Sequence, residues 1–262
     1  MKILGILNIT TDSFSDGGKY LAPEAALTHA QTLADEGADI IDIGAASSNP
    51  NAGAVTPELE IARLASVVPT LKAKGLSLSI DSFAPPVQRW ALEAGVDYLN
   101  DIHGFSEPAL YPALAASNVR LIVMHAIQAS GIATREDVPP EAIMERITTF
   151  FDARLAALER AGIARDRLIL DPGMGFFLGT NPQTSLTVLD RLPELKARYS
   201  LPLLVSVSRK SFLRSLVNND ETWLDSMTAA TEAVAVRRGG ADYVRTHAPA
   251  ALRIALKGLE NL

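Results

Sequence analysis

Eight times along this chain a short apolar run gives way to a segment whose apolar residues recur at helical spacing, and this alternation limits the fold more than any other feature. The runs are Ile3 to Asn8, Asp39 to Ile43, Leu76 to Asp81, Val96 to Asp101, Arg120 to Met124, Leu168 to Asp171, Leu203 to Ser208 and Ala241 to Thr246. Helical segments open near Pro23, Pro57, Pro85, Ala109, Pro140, Gln183, Ser226 and Pro249, and Gly37, Gly75, Gly95 and Gly162 close four of them. Eight strand-helix units in 262 residues predict one α/β domain over 1–262, a (β/α)8 TIM barrel, for which about 250 residues is typical. A doubly wound open sheet is the alternative.

The strand ends carry the chemistry. The stretch LILDPGMGFF, Leu168 to Phe177, runs apolar into Asp171 and then breaks at Pro172, Gly173 and Gly175. Alone, Asp171 could be a turn-capping residue. Other runs end likewise, at Asn8, Asp81, Asn100 and Asp101, at Ser208 to Lys210, and at Arg245 and His247. In a barrel such ends converge on one mouth. Asp81, Asn100 and Asp171 suit a flat heterocycle rich in N–H donors, since a carboxylate accepts two parallel bonds from an amidine-like edge. Lys210, Arg245 and His247 form a cationic group at strands seven and eight, where barrels often hold phosphate. Together they point to an N-rich ring with an anionic tail.

Other readings of the same residues stay open. Lys210 could form a Schiff base if burial depresses its pKa. His103 and His125 could be ordinary hydrogen-bonded histidines, and Ser13, Ser15 and Ser211 have no triad partner legible in the sequence. A net charge of −6 argues against nucleic acid or an anionic membrane as a general partner. The absence of Cys removes disulfides, thiolate catalysis and Cys-based zinc sites. No strong metal-ligand spacing occurs, so Mg²⁺ carried by substrate phosphates is the expected metal. Neither a signal peptide nor a spanning segment is legible, which predicts a cytoplasmic protein.

Six strings, in order along the whole chain, resemble dihydropteroate synthase. They are GILNITTDSFSDGG (Gly5 to Gly18), IDSF (Ile80 to Phe83), LNDI (Leu99 to Ile102), LDPGMGF (Leu170 to Phe176), SRKS (Ser208 to Ser211) and VRTH (Val244 to His247). The resemblance implies a TIM barrel that condenses 6-hydroxymethyl-7,8-dihydropterin pyrophosphate with p-aminobenzoate, through a pterin cation, with Mg²⁺, and as a homodimer. Carried over by position, Asp81, Asn100, Ile102, Met124, Asp171 and Lys210 would hold the pterin. Phe14, Ser48, Pro50, Phe176 and Ser208 would surround p-aminobenzoate. Asn8 would meet the Mg²⁺-pyrophosphate, and Arg245 and His247 its anion. Asp12 and Asp16, on a loop that in the family folds over the site, join Asp81, Asp171 and Lys210 as catalytic candidates.

Two departures set this chain apart within that resemblance. Where the family has a loop like GESTRPG, this chain reads GAASSNPN from Gly44, with Ala46 and Asn49 in place of Glu and Arg. After Asp171 it reads GFFLG from Gly175 to Gly179, with Phe177 extra and no Lys. These loops, with PALYP at Pro108 to Pro112, look like the sulfonamide-insensitive branch, and Phe177 would act there as a steric sieve beside p-aminobenzoate. A pterin-dependent methyltransferase domain and a non-catalytic pterin-binding protein are the alternatives; neither needs both the DSFSDGG loop and the Lys210, Arg245 and His247 group.

Overall fold

The strands β1 (Lys2–Asn8), β2 (Ile40–Gly44), β3 (Leu78–Asp81), β4 (Tyr98–Asp101), β5 (Arg120–Met124), β6 (Leu168–Asp171), β7 (Leu204–Val205) and β8 (Tyr243–Thr246) form one parallel sheet in the order β6-β5-β4-β3-β2-β1-β8-β7. A parallel bridge between Leu170 and Leu203, with Leu170 N–H donating to Pro202 O at 2.9 Å, joins its two edges. The sheet is therefore a closed (β/α)8 barrel, not an open one. The computed structural model describes residues 1–10, 22–46, 55–127, 136–218 and 220–260. No helix among them is long and apolar enough to cross a membrane.

Around the barrel lie α1 (Pro23–Asp35), α2 (Pro57–Ala65), α3 (Val68–Ala73), α4 (Pro85–Ala94), α5 (Tyr111–Ala116), α6 (Ile143–Arg160), α7 (Pro182–Asp190), α8 (Leu192–Tyr199), α9 (Ser211–Leu216), α10 (Glu221–Arg237) and α11 (Pro249–Leu259). Two segments expected as single helices are broken. Pro69 falls in the first turn of α3 and Pro193 in that of α8, because an interior proline would forfeit a backbone bond and clash with the preceding turn. The helix expected from Ser226 begins five residues earlier, where the Asp220 carboxylate accepts the Thr222 N–H at 2.9 Å.

Strand seven is shorter than the Leu203 to Ser208 run. Pro202 cannot donate to the ladder, and beyond Val205 the chain leaves it to form a turn closed by Lys210 N–H to Val207 O. On α6, Ile143, Ile147, Phe151, Leu155 and Leu158 are buried, while Phe150 lies partly exposed against His125.

Alternate side chains from seven strands, Leu4, Ile40, Tyr98, Ile122, Ile169, Leu204 and Tyr243, pack into one inner cluster. At its base the Tyr98 and Tyr243 hydroxyls each accept a bond at 3.3 Å, from Lys2 Nζ and an Arg120 guanidinium N–H. The barrel is plugged at that end. Polar side chains at the opposite strand ends are left facing one mouth.

Candidate active site

Two residues above the inner cluster, the same inward alternation brings Asp42 on β2 and Arg245 on β8 toward the mouth. Asp42 is fully buried, and its Oδ2 accepts from Arg245 Nε. Arg245 Nη2 donates to Asp81 Oδ2 at 2.6 Å, so a single guanidinium ties β2, β3 and β8 together. Asp42 was not among the expected site residues. A charge inside the Ile-Ile-Asp-Ile run of strand two was the available signal, because burying a lone carboxylate is costly.

Backbone register brings the rest of the set alongside. Asp81 pairs with Asn100, and Met124 with Asp171. A Cβ on Gly44 would lie 3.4 Å from Asn8 Oδ1 and 3.9 Å from Asp81 Oδ2, so the Asn8 amide and the Asp81 carboxylate flank that glycine. Asn100 Oδ1 is buried without a hydrogen-bond partner among the described residues. Such an atom calls for a ligand or water donor. Ile102, Met124 and Phe177 form a small apolar wall with Phe176 against it, and the Lys210 ammonium sits 4.7 Å above the Phe177 ring.

These surroundings shift the titrations. Burial pushes Asp171 up to about 6, although Gly173 N–H donates to its Oδ1 at 2.8 Å and Lys210 lies near. Burial pushes Asp81 up to about 7, with Arg245 opposing and Asp42 reinforcing. The Asp81 side chain is still 24% exposed, and water at the mouth moderates that rise. Burial and then Arg245 bring Lys210 down to about 8. Burial alone would lower Arg245, but Asp42 and Asp81 outweigh it and hold the guanidinium charged. His247 falls well below its ordinary value through burial and the charge of Arg209, Arg245 and Lys210. That direction favours the neutral imidazole beside the charged Arg245 and Lys210. Its Nδ1 lies 2.9 Å from Ser208 Oγ, which also accepts the His247 N–H at 3.2 Å.

Some polar strand ends prove structural. Asp101 accepts from Gln88 Nε2 at 2.9 Å and from the N–H groups of His103 and Phe105 at 2.7 and 3.0 Å, so it organises its own turn. His125 Nδ1 is 3.1 Å from Pro172 O, and burial pushes its pKa down to about 4, which makes it a neutral strap between β5 and the turn after β6. Asp12, Phe14, Asp16, Ser48 and Pro50, with Asn49, lie outside the described residues.

A family model described as "Pterin binding enzyme" matches residues 4–247. Over 260 residues, 99% of this chain and 95% of the relative, the sequence is 55% identical to the dihydropteroate synthase type-2 of Escherichia coli. The chain belongs to the dihydropteroate synthase family. Among solved members of that family, Yersinia pestis dihydropteroate synthase with a sulfonamide drug superposes with a TM-score of 0.90 at 33% identity, covering 99% of this chain and 93% of the other. The Xanthomonas albilineans dihydropteroate synthase in complex with 7,8-dihydropteroate superposes with a TM-score of 0.82 at 31% identity, covering 99% and 92%. The methyltransferase and binding-protein alternatives are not favoured.

Proposed function

We propose that this synthase joins 6-hydroxymethyl-7,8-dihydropterin pyrophosphate to p-aminobenzoate, releasing pyrophosphate and 7,8-dihydropteroate. The observation that carries the reading is the placement of Asp81, Asn100 and Asp171 in one mouth with Arg245 and Lys210. The pterin's N–H edge would lie on Asp171 and the unpartnered Asn100 oxygen, its faces against Ile102 and Met124, with Lys210 donating to a ring acceptor. Each charged bond is worth roughly 1.5 to 3 kcal/mol once water is excluded. The methylene C–O bond breaks, pyrophosphate leaves with the bonding pair, and the buried carboxylates stabilise the positive charge left on the pterin. The p-aminobenzoate nitrogen forms the new C–N bond and releases a proton. No protein nucleophile is needed.

The residues fit a Mg²⁺ carried by the substrate. Among the described residues no cluster of three or more His, Asp or Glu could hold a metal, whereas the Asn8 amide oxygen is a hard, neutral donor of the kind that complements phosphate oxygens and water. Bound there, Mg²⁺ would neutralise the charge of the departing pyrophosphate. Arg245 and the Ser208–His247 pair line the neighbouring strand ends where its oxygens would lie. The protein is read as a cytoplasmic enzyme.

Sulfonamide insensitivity belongs to the same reading. Phe177 is only 8% exposed, pressed against Ile102 and Met124 and beneath Lys210. A ring packed in this way leaves less room for a bulkier analogue than for p-aminobenzoate. The test is Mg²⁺-dependent formation of dihydropteroate and pyrophosphate from the two substrates, titrated with a sulfonamide. Wild-type turnover should survive the drug, and Phe177→Ala should lower the inhibition constant about tenfold or more relative to the KM for p-aminobenzoate. Absence of product would refute the synthase reading; unchanged inhibition in Phe177→Ala would refute the sieve alone.

A further inference from the structure

Arg209 occupies the left-handed region, at φ 55, without being a glycine. It lies between Ser208, which meets His247, and Lys210, which caps Phe177. The turn sits beside the mouth, and the Arg209 side chain reaches α10. There Arg209 Nε donates to Asp225 Oδ1 at 2.9 Å and Nη2 donates to Asp225 Oδ2 at 3.1 Å, a two-point grip on a planar fork. One turn along the same helix, Thr228 Oγ1 accepts the Arg209 N–H at 3.3 Å, and Arg214 Nε donates to Arg209 O at 3.3 Å. Side chain, N–H and carbonyl of this one strained residue are each held by α9 or α10.

Folding stability is at most a modest part of what that arrangement supplies. The Asp225 side chain is 52% exposed and that of Arg209 26% exposed, a setting in which an ion pair adds little to folding. What the grip supplies is direction, because a turn that relaxed out of the left-handed region would rotate Ser208 and Lys210 away from the mouth.

We propose that Asp225 is a positioning residue for the synthase reaction: from the surface of α10 it clamps Arg209 and so keeps Ser208 and Lys210 aimed at the substrates. The proposal rests on the reading of Lys210 as a pterin contact. It assigns catalytic consequence to a carboxylate that touches no substrate.

The experiment is a double-mutant cycle on the full chain, with the pterin pyrophosphate as the varied substrate. Asp225→Ala should raise its KM about tenfold while the thermal midpoint stays within about 2 °C of wild type, with Asp225→Glu recovering part of the loss. Glycine adopts the left-handed turn unaided. In the Arg209→Gly background, therefore, Asp225→Ala should cost nothing further. A loss of equal size in both backgrounds, or an Asp225→Ala enzyme within twofold of wild type, would overturn the proposal. Wild-type turnover measured in parallel keeps its failure distinct from failure of the synthase reading.

Discussion

Arg245 reaches Asp42 and Asp81 through different nitrogens, so the charge that would meet a leaving pyrophosphate is already shared between two carboxylates in the unliganded protein. Below it the pocket is poised between protonation states, which yields a pH prediction with two opposite signs. Asp171 and Asp81 hold protons up to about 6 and about 7 in the folded protein, against an ordinary value of 3.8. Across that window the folded chain keeps protons that the unfolded chain has released, so the stability of the unliganded protein should fall as pH rises. Activity should run the other way, since only ionised carboxylates accept the pterin's donors and stabilise its cation. kcat/KM for the pterin substrate should rise toward neutrality, on a limb that belongs to the carboxylate pair jointly, and decline above about 8 as Lys210 loses its proton. A pH profile of kcat/KM beside thermal midpoints of the free protein checks both, and slopes of the same sign would contradict the assignment. At this scale the strand-end residues were legible because each ends an apolar run. The Asp42–Arg245 pair was not, since its members stand 203 positions apart and meet only because the barrel closes.

The turn after β6 shows how an element builds the site. Gly173 stands at φ +77, its N–H anchors the Asp171 carboxylate, and a Cβ there would lie 2.4 Å from the His125 carbonyl. An alanine must therefore take a left-handed backbone, costing about 1 to 2 kcal/mol, and push β5 away from β6 as well. Gly173→Ala should lose about 2 kcal/mol or more in denaturant unfolding and weaken pterin binding measured by calorimetry, because the displaced turn carries the N–H that anchors the Asp171 oxygen out of place. Wild-type values for both would show that the turn tolerates a side chain. Proline explains why two expected helices are each broken in two. The apolar spacing runs continuously through Pro69 and Pro193, but the backbone cannot. Hydrophobic period reports which face is buried, whereas the hydrogen-bond supply decides where an element stops.

At the scale of the molecule, the count of eight units and the convergence of polar strand ends were enough to place the mouth, because both follow from chain order. The outward faces follow no such rule. On α10, Trp223, Met227, Ala230 and Val234 recur at helical spacing; Trp223 is 61% exposed and Val234 48%, and Ile254 of the adjoining α11 is 73% exposed. Val217, Met227 and Ala230 line a groove beside Trp223. A bulky ridge next to a groove on one helix is self-complementary about a two-fold axis, since each copy can seat its ridge in the other's groove. Were the chain to form the homodimer that the sequence resemblance implies, this face is where two copies would be expected to meet. Sedimentation equilibrium should give twice the chain mass for wild type and the single mass for Trp223→Glu, which would bury a charge against its counterpart. A wild-type monomer, or a Trp223→Glu dimer, would remove this face as the interface. The Trp223→Glu monomer should still bind pterin, because Asp225 and Thr228, the α10 groups that hold Arg209, are left in place.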